Sequence, residues 1–283
     1  MVIELKHTKM KKLLLLITGL LLLFSVEGQI LRYSNYTAPT PPVEEELRGP
    51  DELWDGHTQI WLEHDTLLTE SDGAVSKWTD IANSYELVPY AADGGAGTSD
   101  NYPSWTESGG VVFDGTNDVL RVVDGEWQSF GTVYVILKQI TWTNSDIFYE
   151  YEGFDGTDYT YAAGIRIAQR TTTPDIRIAW SGGYSTNAIT SLSLNTWGLL
   201  TTEWIDDAQT LQHNDGTPIT MDIDLLTAPW AVGGFILGAG HAVAPAFQRY
   251  SNIAVKAVIV RDQIDDSSTK AAIKAYLTAK YLD

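Results

Sequence analysis

Three groups of side chains in this sequence have the types and spacing for chemistry. The first is the acidic turn Asp114-Gly115-Thr116-Asn117-Asp118, in which Asp114, Asn117 and Asp118 can offer oxygens to calcium, a hard cation that takes about six to eight of them. Short Asp-Gly segments also serve as plain turns, with the carboxylate bonding backbone amides. The second group is Glu150-Tyr151-Glu152, two carboxylates that a strand would send to one face. Retaining glycoside hydrolysis needs such a pair about 5 to 5.5 Å apart. Here Gly153 follows closely, so the segment reads as a strand end. The third group is aromatic: Trp105, Trp127, Trp142, Trp180 and Tyr184 each lie beside turn residues, where flat rings can stack on sugar faces.

Other catalytic patterns are missing. His57 and His64 are separated by an odd number of residues, which on a strand points their rings to opposite faces. His213 and His241 have no serine or carboxylate in a triad arrangement, and there is no Gly-x-Ser-x-Gly elbow. With no cysteine in the chain, thiol nucleophiles and zinc-thiolate sites are excluded.

The elements that must position these residues read as β throughout. Gly131 to Lys138 is rich in β-branched and aromatic residues, while Ile165-Arg166-Ile167-Ala168 and Ile176-Arg177-Ile178-Ala179-Trp180 alternate between apolar and other residues. Turns recur at Asp93-Gly94-Gly95, Ser108-Gly109-Gly110, Asp124-Gly125, Asp155-Gly156 and Asp215-Gly216. A single helix is expected near the C-terminus, capped by Asp266, Ser267 or Ser268 and presenting Ile273, Tyr276, Leu277 and Tyr281 at helical spacing. The pattern predicts an all-β, two-sheet antiparallel jelly-roll sandwich with a short C-terminal helix.

The order of several segments strengthens that expectation. Trp61, Trp78-Thr79-Asp80, Phe113-Asp114-Gly115-Thr116-Asn117-Asp118, Asn195-Thr196-Trp197 and the closing strand Ile253 to Arg261 together resemble the laminin-G-like, concanavalin-A-like jelly-roll domains of secreted proteins. The resemblance implies core positions for Trp61, Trp78 and Trp197. It also implies a scaffold that carries binding modules, enzymes and spacers alike.

Around this body, residues 1–28 read as a signal peptide, with Lys9, Lys11 and Lys12 preceding the apolar run Leu13 to Phe24. Residues 29–52 form a Pro/Glu-rich linker, and residues 53–283 the jelly-roll domain. The expected location is therefore secreted or extracytoplasmic, in the periplasm or at the cell surface, with no membrane insertion after cleavage. Removing the leader takes four of 18 basic and two of 37 acidic side chains, leaving a net charge of about −21. Such a surface repels phosphate backbones and excludes nucleic acid as a partner.

These observations predict a non-catalytic recognition module that binds a glycan or cell-surface polysaccharide, with calcium as the cofactor its acidic turn would take. Two alternatives stand beside it: an adhesion component that recognises a protein partner, and a carbohydrate-active enzyme with an unfamiliar catalytic set.

Overall fold

The computed structural model describes residues 49–127, 131–154, 159–180, 183–205, 208–222, 231–243 and 246–283. These belong to one compact unit, Gly49–Asp283. The predicted leader and nearly all of the predicted linker lie outside the described residues. No helix among the described residues is long and apolar enough to cross a membrane.

After a 3-10 turn at Asp51–Trp54 the strands follow as β1 (Thr58–Glu63), β2 (Leu68–Ser71), β3 (Ala74–Thr79), β4 (Glu86–Pro89), then, beyond a second 3-10 turn at Ser99–Asn101, β5 (Ser104–Thr106), β6 (Gly110–Asp114) and β7 (Leu120–Trp127). The middle of the chain supplies β8 (Thr132–Gln139), β9 (Ile147–Phe154), β10 (Tyr159–Gln169), β11 (Ile176–Trp180), β12 (Gly183–Tyr184) and β13 (Trp197–Ile205). The chain ends with β14 (Ala208–His213), β15 (Ile219–Asp222), β16 (Ala231–Leu237), β17 (Gly240–Val243), β18 (Ala246–Gln248), β19 (Asn252–Arg261) and the helix α1 (Ser267–Tyr281).

Two antiparallel ladders face each other across the core. One runs β19-β8-β13-β14-β15, with β1 and β6 sharing the other edge of β19. The second runs β4-β7-β16-β9-β10-β11-β12. The sequence predicts two separate sheets. Instead, β4 joins both ladders into one 17-stranded sheet, because its first half pairs with β3 and its second half with β7. Pro89 suits this change of partner, since it has no N–H to leave unpaired.

Alternation decides what each strand buries. On β8, Val133, Val135 and Leu137 enter the main core, while Tyr134 and Ile136 point the other way, beneath α1. A strand covered on both faces reads as a nearly continuous apolar run, as this one does. From the second ladder Val122, Tyr149, Tyr151, Ile167, Ile178 and Phe235 complete the core. A hydrogen bond of 2.5 Å between the Tyr149 hydroxyl and Thr202 Oγ1 spans the two ladders.

Helix α1 forms where predicted. The Asp266 carboxylate accepts the Thr269 N–H at 2.8 Å, capping the first turn, and Ile273, Leu277 and Tyr281 form the buried stripe. Buried Glu63 anchors the helix by accepting from Tyr276 Oη at 2.5 Å and Lys280 Nζ at 2.6 Å.

Arg261, fully buried at the end of β19, closes the body without disulfides. Its guanidinium meets Asp265 at 3.0 Å, Asp55 at 2.7 Å and the Glu52 carbonyl at 2.6 Å, joining the first described turn to the last strand. Removing one member of a buried ion pair strands the other's charge. Arg261→Met is therefore expected to lower unfolding stability by about 3–5 kcal/mol in urea titration; a loss below about 1 kcal/mol would show that the network does not hold the ends together.

Candidate functional site

The pairing of β9, β10 and β11 sets the geometry of one end of the molecule. Arg166 lies opposite Glu150 across β10 and β9, and opposite Ala179 across β10 and β11. On the face turned away from the main core, the Arg166 guanidinium grips Glu150 through both carboxylate oxygens, each at 2.9 Å. Both side chains are almost completely buried. The chain closes over them at Gly240, where a Cβ would stand 2.6 Å from Glu150 Oε2 and 2.3 Å from Ile147 Cδ1, so a side chain there would push both aside.

The predicted Glu150/Glu152 pair is thereby revised. Glu150 sits in mid-strand, committed to Arg166 and shielded from solvent; the side chain of Glu152 lies outside the described residues.

Beyond this pair the strands end in loops that bond to one another. Ser145 N–H donates to the Gln169 carbonyl at 2.8 Å, Gln169 N–H donates to the Asp146 carbonyl at 2.9 Å, and Thr171 N–H donates to Asn144 Oδ1 at 2.9 Å. Gln169 also accepts from Thr143 N–H and donates to the Thr141 carbonyl, fixing the backbone on both sides of Trp142. Arg170 donates to Ser145 Oγ. Its Cζ lies 4.4 Å from the ring centre of exposed Tyr184, and Arg177 Cζ lies 5.6 Å from the same ring. Arg177 also holds Asp175 at 3.0 Å. Arg170 thus links the loop that carries the predicted ligand residue Trp142 to predicted Tyr184 on β12.

Two carboxyls were not singled out by sequence reasoning. Asp146 closes the loop that carries Trp142, and Asp175 precedes β11. Burial pushes the Asp146 carboxyl up to about 6, with a bond from Thr143 opposing the shift. The backbones of Asp146 and Asp175 flank Gln169 and Arg170 from opposite sides. The one available signal was Asp146 closing the Trp142-Thr143-Asn144 segment that the sequence had already marked.

The acidic turn lies at the same end, because Asn252 pairs with Asp114 while its carbonyl accepts from Ile140 N–H. Asp114 Oδ1 accepts from Thr116 N–H at 2.7 Å and from Asn117 N–H at 3.3 Å. Asp118 accepts from Asp114 N–H at 2.9 Å, and Asn117 donates to the Asp100 carbonyl at 2.7 Å. One carboxylate oxygen of Asp114 and one of Asp118 accept backbone amides, and the described residues contain no group of three or more His, Asp or Glu gathered to hold a metal. Burial raises the Asp118 carboxyl to about 6, assisted by the nearby Asp114 charge.

The remaining aromatic candidates divide. Trp105 is half-buried against the core and donates to the His64 carbonyl at 2.8 Å, as a structural residue does. The side chains of Trp127 and Trp180 lie outside the described residues. Of the predicted core tryptophans, Trp61 and Trp78 are fully buried; Trp197 is half-buried on the helix side of β13, because its strand face lies at the rim of α1's cover.

His213 does have a serine neighbour, since Ser191 Oγ lies 2.6 Å from its Nδ1. Its Nε2, however, packs against Gly198, where a Cβ would stand at 2.5 Å, and finds no hydrogen-bond partner among the described residues, so the pair reads as structural.

No protein-family model and no curated protein sequence matches the chain. Solved structures do. The sialidase of Trypanosoma rangeli in complex with sialic acid superposes with a TM-score of 0.54 at 13% identity, over 78% of this chain and 33% of that one. A GH54 α-L-arabinofuranosidase variant soaked with 4-nitrophenyl α-L-arabinofuranoside gives 0.54 at 12% identity, over 74% of this chain and 51% of that one. This chain therefore spans about a third to a half of those proteins, and the likeness is one of fold. The fold is β-rich and shared with carbohydrate-active enzymes, which overturns the expectation of a non-catalytic recognition module and favours the enzyme alternative.

The two raised carboxyls fix a pH dependence. A carboxyl whose folded pKa exceeds its unfolded value binds its proton more tightly when folded, so its contribution to stability is complete below the ordinary carboxylate range and fades as pH rises to about 6. Asp118→Asn removes one such group. Its Tm should fall less than that of the unmodified protein between pH 4 and 7; parallel curves would show that Asp118 is not held protonated by the fold.

Proposed function

We propose that this chain is a carbohydrate-active enzyme that cleaves glycosidic bonds at the loop end built by β9, β10 and β11. The observation that carries the proposal is the placement of Asp146 and Asp175 on either side of the Gln169-Arg170 backbone, with Arg170 stacked on exposed Tyr184. Strands β9 and β11 flank β10, so their ends stand two strand spacings apart, about 10 Å. This is a backbone spacing of the same order as the separation of about 6.5–9.5 Å between the two carboxyl groups of inverting enzymes.

In this reading the roles divide by environment. Asp146, raised to about 6, keeps its proton and donates it to the leaving oxygen. Asp175, facing the Arg177 guanidinium at 3.0 Å and accepting from Thr171 Oγ1 at 3.1 Å, is the base that activates water. Tyr184 and Trp142 supply the aromatic surface against which a sugar ring rests. The fold shared with a sialidase and an arabinofuranosidase supports glycan as the substrate class. As part of the same proposal, the two ladders are the leaves of a jelly roll of the laminin-G-like kind.

The test is release of reducing ends from a panel of neutral and acidic polysaccharides and aryl glycosides. Turnover should show an alkaline limb near pH 6, and Asp146→Asn should lower kcat by about 10²–10⁴-fold with little change in Tm. Asp175→Asn should lower it similarly. No release across the panel, or release that both variants retain, would refute the assignment.

A further inference from the structure

The described body contains six lysines, at positions 77, 138, 256, 270, 274 and 280. Four of them meet carboxylates: Lys77 pairs with Glu86, Lys270 with Glu203, Lys274 with Asp215 and Lys280 with Glu63 and Asp65. The other two, Lys138 and Lys256, reach no carboxylate among the described residues. Both converge on one ring, with Nζ atoms 4.9 Å and 4.7 Å from the centre of Trp197. In a chain with 37 acidic and 18 basic side chains, two lysines left together without an acid are a departure from the pattern of the rest of the surface.

Local structure explains how they meet. Lys138 stands directly opposite Trp197 across β8 and β13. Lys256 is the extra residue of a bulge in β19, where Val255 pairs with Leu137 and Ala257 already pairs with Ile136. Bulges re-aim a side chain at a cost to the ladder. This one brings Lys256 to Trp197 while Ala257 and Ile259 stay beneath α1. Burial, and then the Lys138 charge, lower the Lys256 pKa, so the two ammonium groups repel each other in a partly desolvated setting. Stacking on Trp197 offsets part of that repulsion, and an anion meeting these ammonium groups would offset more of it.

We infer that Lys138, Lys256 and Trp197 form a second binding site, on the ladder opposite the Asp146–Asp175 loops, for a saccharide bearing a carboxylate or a sulfate. The choice of a saccharide rests on the glycan reading above; the anion requirement rests on the lysine pair alone. A pair of lysines on a strongly acidic chain suits a sugar with sparse charge, whereas a dense polyphosphate would meet repulsion from the surrounding acids.

Calorimetric titration of the full chain at low ionic strength tests this with four probes: a galacturonic acid trimer, a monosulfated galactose oligomer, the uncharged galactose oligomer and inorganic sulfate. Binding of either charged oligomer and none of the neutral one is expected, with about tenfold weaker affinity in Lys138→Met/Lys256→Met and retention in Lys138→Arg/Lys256→Arg. Tm measurements confirm that the variants fold, and the single Met variants replace the double one if it does not. The inference is overturned if neither charged oligomer binds, if the neutral oligomer binds equally, or if the Met variants bind like the unmodified protein. Inorganic sulfate binding as tightly as the sulfated oligomer would overturn the saccharide assignment. Glycan cleavage at the Asp146–Asp175 loops should be unchanged in Lys138→Met/Lys256→Met while this binding is weakened, which separates failure of this site from failure of the catalytic one.

Discussion

The bidentate pair between Glu150 and Arg166 is the interaction on which the functional end of the molecule depends. Two charges buried together cost several kcal/mol in desolvation and repay it only when their geometry is fixed. Here both carboxylate oxygens are matched, which locks β9 to β10 in one register. A slip of one residue would turn Glu150 toward the main core, among Tyr149, Tyr151 and Phe235. With the register fixed, the loops ending at Asp146 and Gln169 meet at the same level, and Asp175 follows through the pairing of β10 with β11. The pair is thus a positioning element: it lies in the strands and never meets solvent, while the groups assigned to chemistry lie in the loops it aligns.

The two ladders divide the remaining work. The first spends its outer face on α1, whose stripe of Ile273, Leu277 and Tyr281 covers Tyr134, Ile136 and Ile259, and on the Lys138–Trp197–Lys256 cluster at the rim of that cover. The second carries the Glu150–Arg166 pair on its outer face and the loops proposed for catalysis at its end. Between them the shared core is apolar apart from crossings such as Tyr149 to Thr202, so the ladders are held by burial and hardly by polar contact. Such a rigid double layer lets loops carry function without threatening stability.

Much of this was legible in the sequence where local pattern and tertiary role agree. The apolar run of β8, the alternation in β10 and β11 and the capped helix after Asp266 follow from composition and from periods of two and 3.6 residues, and the burial of Trp61 and Trp78 from the resemblance. What escaped depended on pairing across distance. Asp146 and Asp175 sit in loops without periodicity and become neighbours only through the β9-β10-β11 register. Glu150 looked like a strand end because Gly153 follows it, yet the strand continues to Phe154, and its partner Arg166 was read only as one member of an alternating run. The bulge at Lys256 and the strand switch at Pro89 likewise have no one-dimensional signature.

The most direct measurement is a crystal structure of the Asp146→Asn protein with a bound oligosaccharide. The account predicts a sugar ring against Tyr184, with the glycosidic oxygen within hydrogen-bond reach of the residue 146 side chain and a water held by Asp175. A saccharide bound elsewhere on the surface, with these loops empty, would contradict it.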